Sequence, residues 1–286
     1  MKLLRLLGLL LAFAAAGGCS TLSNLTEKPE SQWTVADYYA HMKEAFDNEQ
    51  WEQTIKYGEK LLAYYPYGKE AEQAYLDLAY AYYKWDEPQS AIRTLNDFIR
   101  LYPRHRVLPW AYYLRARAAE AMVTSFFDRW ITDPARRSAE TLRQAFNYYK
   151  AVADKFPNSE YARVARRKMI IFYNRIARHD YYVAKFYFER GADLAAIERV
   201  KALIHHYPHA VAVLDGLKLM EAAYRRLGMA PQANHVRDVL VATYEKQVQR
   251  PRRETRRMQE RIRQLERYDY KTRSRSLRWS DSEPLY

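Results

Sequence analysis

The stretch Ala184-Lys185-Phe186-Tyr187-Phe188-Glu189-Arg190-Gly191-Ala192-Asp193-Leu194-Ala195-Ala196, followed by Tyr207-Pro208, decides the fold. Its skeleton is an alanine, a tyrosine three residues on, a second alanine nine later and a proline twelve after that. Ala79, Tyr82, Ala91 and Pro103 repeat all four types at the same spacing. Ala145 with Pro157, Tyr224 with Ala233, and Thr54 with Pro66 repeat parts of it. Each proline follows an aromatic: Tyr65-Pro66, Tyr102-Pro103, Phe156-Pro157, Tyr207-Pro208. Alanine and tyrosine three apart share one helix face. The second alanine is small, as two antiparallel helices need where they approach closely. Proline cannot continue a helix and biases its predecessor away from the helical region, so each aromatic-proline step ends a second helix.

A helical hairpin of about 34 residues is the tetratricopeptide (TPR) period. One hairpin cannot bury its apolar face alone, so such units stack. The reading is therefore all-α: a TPR-like α-solenoid of about five helix pairs over residues 34–245. Thr34 opens the first helix with Asp37 at the capping-box position, and the pair runs over 34–48 and 50–65. The second pair is 70–84 and 87–102, with Pro88 in a first turn. The third is irregular. Ala91 to Ala145 is 54 residues where the regular step is 37, so the linker between helices 107–127 and 134–156 holds an insertion around Trp130. That insertion is either a plain longer loop or a contact loop. The fourth pair begins with a helix from Glu160, kinked near His179 and ended by Gly191, and continues over 193–207. The last covers 210–227 and 231–244, broken at Gly228.

Both ends differ from this repeat. Lys2 and Arg5 give a positive start to the apolar run Leu3 to Ala16, too short to span a membrane, and then comes Ala16-Gly17-Gly18-Cys19. Small residues before the chain's only cysteine resemble a bacterial lipobox, although Ala16 stands where leucine is usual. Residues 1–18 then read as a lipoprotein signal peptide, with lipid on Cys19. The other reading is an ordinary signal peptide beside a chance cysteine. In Gram-negative lipoproteins an aspartate after the cysteine signals inner-membrane retention, so Ser20 implies the outer membrane, facing the periplasm. Residues 19–33 read as a flexible lipidated tether. Of the formal charge of +13, residues 246–286 carry +7. This basic extension, disordered or partly helical, has Met258, Ile262, Leu265 and Tyr268 at helical spacing. An exported chain seldom meets nucleic acid, so lipid headgroups or an acidic protein fit better, unless the tail only aids solubility.

The motifs of common enzyme chemistries are missing. There is no Gly-rich phosphate loop, paired-cysteine metal site, HExxH or GxSxG. His205, His206 and His209 cluster, but Pro208 falls between them and no carboxylate is close in sequence, while helix C-termini favour histidine in any case. No catalytic group, metal or cofactor other than the lipid is expected.

The lipobox, tether and five TPR-like pairs resemble the BamD (ComL) family, lipoproteins of the outer-membrane β-barrel assembly machinery. The resemblance covers residues 19–245. Its most specific parts are Tyr181-Tyr182-Val183-Ala184-Lys185-Phe186-Tyr187 with Glu189-Arg190-Gly191-Ala192, and Glu198-Arg199-Val200. The insertion and the turn Phe156-Pro157-Asn158-Ser159 also fit. The tail after 245 departs from the family pattern. The resemblance implies a non-enzymatic scaffold working with other Bam lipoproteins. Its C-terminal repeats would dock a POTRA domain of a BamA-like barrel protein. Its N-terminal repeats would receive the targeting signals of unfolded outer-membrane proteins. The matching arginines are Arg190 and Arg199, whose other reading is a salt bridge within the chain. The aromatic groove candidates are Tyr38, Tyr39, Tyr75 and Tyr82, whose other reading is packing between helices. A TPR lipoprotein of pilus assembly (pilotin-like) or envelope division would share the lipobox and repeats, but lack the long fourth helix with Glu189-Arg190-Gly191. A periplasmic enzyme using His205 and His209 is the third reading.

Overall fold

The computed structural model describes residues 28–123 and 139–248, with side chains as far as residue 242. Cys19 and the signal segment, the Trp130 insertion and the basic extension beyond residue 248 lie outside the described residues. Among the described residues ten α-helices follow one another as five pairs, with no strand. They are α1 (Val35–Asp47) and α2 (Trp51–Tyr64), then α3 (Lys69–Lys84) and α4 (Pro88–Leu101), then α5 (Leu108–Val123) and α6 (Ala139–Lys155). The last two pairs are α7 (Glu160–Glu189) with α8 (Asp193–His206), and α9 (Ala212–Arg226) with α10 (Ala230–Val248). The chain divides into two compact units, Met1–Ala81 and Tyr82–Tyr286.

The repeat positions do in three dimensions what their chemistry requires. Thr54, Ala79, Ala91, Ala145, Ala184, Ala196 and Ala233 are all 0% exposed, each small residue sitting where helices meet. Each aromatic before a proline caps its helix, with Tyr65, Tyr102, Phe156 and Tyr207 donating their backbone N–H to the carbonyls of Leu61, Phe98, Val152 and Leu203. Four turns inside pairs share one geometry. Glu49, Asp86, Gly191 and Gly228 take positive φ angles of 58°, 59°, 76° and 71°. The next N–H in each case reaches back to Ala45, Tyr82, Tyr187 and Tyr224 at 2.8–3.0 Å. This is the Schellman closure of a helix end.

In the N-terminal unit α1 packs on α2. Thr34 and Asp37 form the expected capping box. Gly58 lies so close to the Met42 Cε and Leu78 Cδ1 atoms that an added Cβ would stand 2.8 and 3.2 Å from them. The tether departs from expectation. It is not loose up to residue 33, because Glu30–Gln32 form a 3-10 turn and Trp33 stacks on His41 with ring centroids 4.1 Å apart.

In the C-terminal unit α5, α6 and α7 pack together, and α7 also packs on α8 and α9. The kink expected near His179 is absent. α7 is a single helix of 30 residues, about 45 Å long at the usual helical rise. Ser159 caps its start by accepting from the Ala162 N–H at 3.2 Å. No proline or glycine interrupts it. Between α5, α6 and α7 lies a buried polar cluster. Lys168 bonds Glu120 at 2.8 Å, Tyr149 donates to the same carboxylate, and Arg117 lies 3.9 Å from it while donating to the Tyr83 hydroxyl at 3.0 Å. Burial raises the pKa of the Glu120 carboxyl, but Lys168 and Arg117 outweigh it and hold the group below its ordinary value. Burial, with Glu120 adjacent, drives the Tyr149 phenol well above its ordinary value.

Candidate functional site

The corner between α7 and α8 brings together the two arginines singled out in the sequence. α7 stops because Arg190 takes a non-helical cap conformation and Gly191 turns left-handed, returning N–H bonds to Phe188 and Tyr187. That turn directs Arg190 back along its own helix. Its guanidinium lies 3.5 Å from the Phe186 ring centroid and donates to the Phe186 carbonyl at 3.4 Å. Arg199, on the exposed face of α8, lies 5.7 Å from the Tyr187 ring centroid. Such contacts restrict an arginine while leaving further guanidinium donors for another partner. Neither arginine has a carboxylate within 4 Å among the described residues, so the expected alternative, an internal salt bridge, is not formed there. Phe186 and Leu194 leave 48% and 65% of their surface exposed at the same corner. At longer range Arg199 acts on half-buried Asp180. Burial raises the Asp180 pKa, and Arg143, His179, His206 and Arg199 oppose that rise.

Beneath the corner is a pair that sequence reasoning missed. Arg226, from α9, bonds both carboxylate oxygens of buried Asp193 and the Phe188 carbonyl at 2.7 Å, and its guanidinium lies 3.9 Å from the Phe188 ring centroid. Its bond to Asp193 raises its pKa further. The pair is 33 residues apart, and no local pattern in one sequence marks it.

The four tyrosines do not share one environment. Tyr38 is 5% exposed, its ring edge-on to Trp33 at 5.1 Å and tilted against Tyr64 at 5.8 Å, while its hydroxyl donates to Glu30 at 3.4 Å. Tyr82 is 8% exposed. The expectation that these two open into a groove is corrected: both are buried among the core residues. Tyr39 and Tyr75 are half-buried, with surface left to offer.

His205, His206 and His209 are exposed at the end of α8. The His209 backbone N–H donates to the Tyr173 hydroxyl at 3.5 Å. Among the described residues no group of three or more His, Cys, Asp and Glu is arranged to hold a metal ion. No helix among them is long and apolar enough to cross a membrane.

Residues 31–240 match the YfiO family model, described as an outer membrane lipoprotein. Outer membrane protein assembly factor BamD of Vibrio cholerae is 34% identical over 233 residues, which is 81% of this chain and 95% of the relative. BamD of Neisseria meningitidis serogroup A is 30% identical over 235 residues, or 81% and 88% of the two chains. BamD of Xylella fastidiosa is 36% identical over 182 residues, or 63% and 62%. Matches of this extent, running through all five helix pairs and the α7–α8 corner, mean that the chain belongs to the BamD family.

Proposed function

We propose that this chain is a non-enzymatic scaffold of the outer-membrane β-barrel assembly machinery, held on the periplasmic face of the outer membrane by lipid on Cys19. It works beside other Bam lipoproteins. The α7–α8 corner docks an acidic face of a POTRA domain on a BamA-like barrel protein. The half-exposed Tyr39 and Tyr75 receive unfolded outer-membrane proteins through their aromatic-ended targeting segments.

The observation that carries the docking reading is the state of Arg190 and Arg199. Each lies over an aromatic ring at the end of α7, and neither has a carboxylate within 4 Å among the described residues. A partner carboxylate would meet donors whose ordering cost is already reduced. Exposed Phe186 and Leu194 supply apolar area beside them.

The test is a titration of the purified POTRA domains against the wild-type chain, Arg199→Glu and Arg190→Glu. Each reversal is expected to weaken binding about tenfold or more, equivalent to about 1.4 kcal/mol, with helical circular dichroism unchanged. Unaltered affinity in both variants would remove the corner from the interface. A pulldown from solubilised outer membranes that returned a pilus secretin instead of a POTRA-bearing barrel would reject the assembly role itself.

A further inference from the structure

The N-terminal hairpin is bound to its own tether. The Trp33 indole N–H donates to the Lys28 carbonyl at 2.8 Å, and the ring stacks on His41 and tilts toward Tyr57 at 5.8 Å. Glu30 takes the Lys60 ammonium and the Tyr38 hydroxyl. Lys28 lies 3.4 Å from Asp37, and the Tyr65 hydroxyl donates to the Trp33 carbonyl at 3.3 Å. The chain is thus fastened to α1 and α2 from Lys28 onward. Nine residue steps separate Lys28 from Cys19, a reach of at most about 30 Å.

Next to the fastened segment, α2 ends in Tyr64-Tyr65-Pro66-Tyr67. These tyrosines are 65%, 36% and 73% exposed. Tyr65 bonds the tether directly at Trp33, and Tyr64 packs on the Tyr38 ring, whose hydroxyl in turn bonds Glu30. Three exposed tyrosines within four residues offer apolar ring bodies with polar tips, the chemistry of the membrane–water interface. Lys28 pairs with Asp37, Lys60 with Glu30, and exposed Lys69 stands next to Glu70, so charge contributes little.

We propose that the Tyr64–Tyr67 corner sits in the headgroup layer of the periplasmic leaflet of the outer membrane. It is a second contact beside the lipid on Cys19, and it orients the α1–α2 hairpin against the bilayer. The inference rests on lipidation of Cys19 as proposed above. The contact is weak alone, and the short tether makes it effective: a linker of this length holds the corner at an effective concentration in the millimolar range. A free chain would scarcely bind vesicles, whereas an anchored chain would engage them.

The test replaces the natural anchor, so that its outcome does not depend on lipidation. The mature chain carrying Cys19→Ser and an N-terminal histidine tag is held on phosphatidylethanolamine–phosphatidylglycerol vesicles containing a nickel-chelating lipid. No other cysteine is present, so Tyr67→Cys takes a single NBD fluorophore. Glu52→Cys, at the far end of α2, serves as control. The expected result is a several-fold rise in NBD emission at position 67, quenched by brominated lipid, insensitive to salt and lost with Tyr64→Ser and Tyr65→Ser. Position 52 stays unquenched. NBD at 67 that reads as water-exposed on anchored protein would overturn the proposal. So would a response only to an aromatic-ended peptide without vesicles, which would make the corner a peptide site. Palmitate labelling of the full chain tests Cys19 separately.

Discussion

Two clusters of charge in the C-terminal unit differ in a way that separates structure from interaction. Between α5, α6 and α7, Glu120 is held by Lys168, Tyr149 and Arg117 in the interior. At the α7–α8 corner, Arg190 and Arg199 lie against aromatic rings in the open, without a carboxylate within 4 Å among the described residues. A charge removed from water must find its counter-charge inside the protein or the fold loses several kcal/mol. An exposed guanidinium has no such obligation, so leaving it ordered but without a counter-charge costs little and leaves it ready for another surface. Removing a member of the first cluster should therefore damage folding, and reversing a member of the second should damage only docking.

The largest effect separates these cases. Glu120→Ala leaves the Lys168 ammonium, 7% exposed, without its carboxylate. The expected loss is about 3–5 kcal/mol in urea denaturation. Glu120→Leu combined with Lys168→Met should recover part of it, because the buried ammonium is then gone, while Arg117 keeps its bond to the Tyr83 hydroxyl. A loss below about 1 kcal/mol for Glu120→Ala would mean that water reaches the cluster and that the contrast with the corner is false.

Acid sharpens the same comparison. The Glu120 pKa is depressed in the fold, so its contribution is complete above the ordinary value of 4.5 and disappears as pH falls through the lower folded value. His105, depressed by burial and by Arg106, acts in the same direction from 6.5 downward. Asp180, raised by burial, acts oppositely and gains relative stability as pH falls. Glu120→Gln should therefore lower stability at neutral pH and flatten its fall below about pH 4.5, measured by denaturation across pH. A parallel wild-type curve would show that other carboxylates govern the acid limb.

The Arg226–Asp193 pair stands between the two clusters. Asp193 is 8% exposed in its side chain but Arg226 is 44% exposed, so solvent screens part of the interaction. Asp193→Ala should cost about 1–2 kcal/mol, discounted from the fully buried case, by the same denaturation assay. It should also weaken POTRA binding less than Arg199→Glu does.

The repeat was legible because its signal is local and steric. An alanine that must be small reads the same in sequence and in space, and the positions from Thr54 to Ala233 are all fully buried. Aromatic-proline steps ended helices for the reason that proline always does. What escaped is long-range. Glu120 and Lys168 are 48 residues apart and Asp193 and Arg226 are 33 apart, so no periodicity links them. The fastening of Trp33 to His41 and Tyr57 was hidden because a polar segment with one proline reads as a linker until its single tryptophan finds rings to stack on. Tyr38 and Tyr82 failed as groove residues because helical spacing names the face a side chain shares, not whether a neighbour covers it.

The smallest effect lies in the turns. Gly191 and Gly228 close their pairs with positive φ, and an added Cβ at either meets nothing within 4 Å. Gly191→Ala therefore tests backbone conformation alone and should cost about 1 kcal/mol. Asp86 adopts the same conformation at 59° with a side chain present. Asp86→Gly relieves that strain but frees the unfolded chain, two terms of similar size and opposite sign. The net change should stay within about 0.5 kcal/mol. If Asp86→Gly instead destabilised as much as Gly191→Ala, the aspartate side chain would be stabilising its turn, and the two turns would be alike in backbone but not in what holds them.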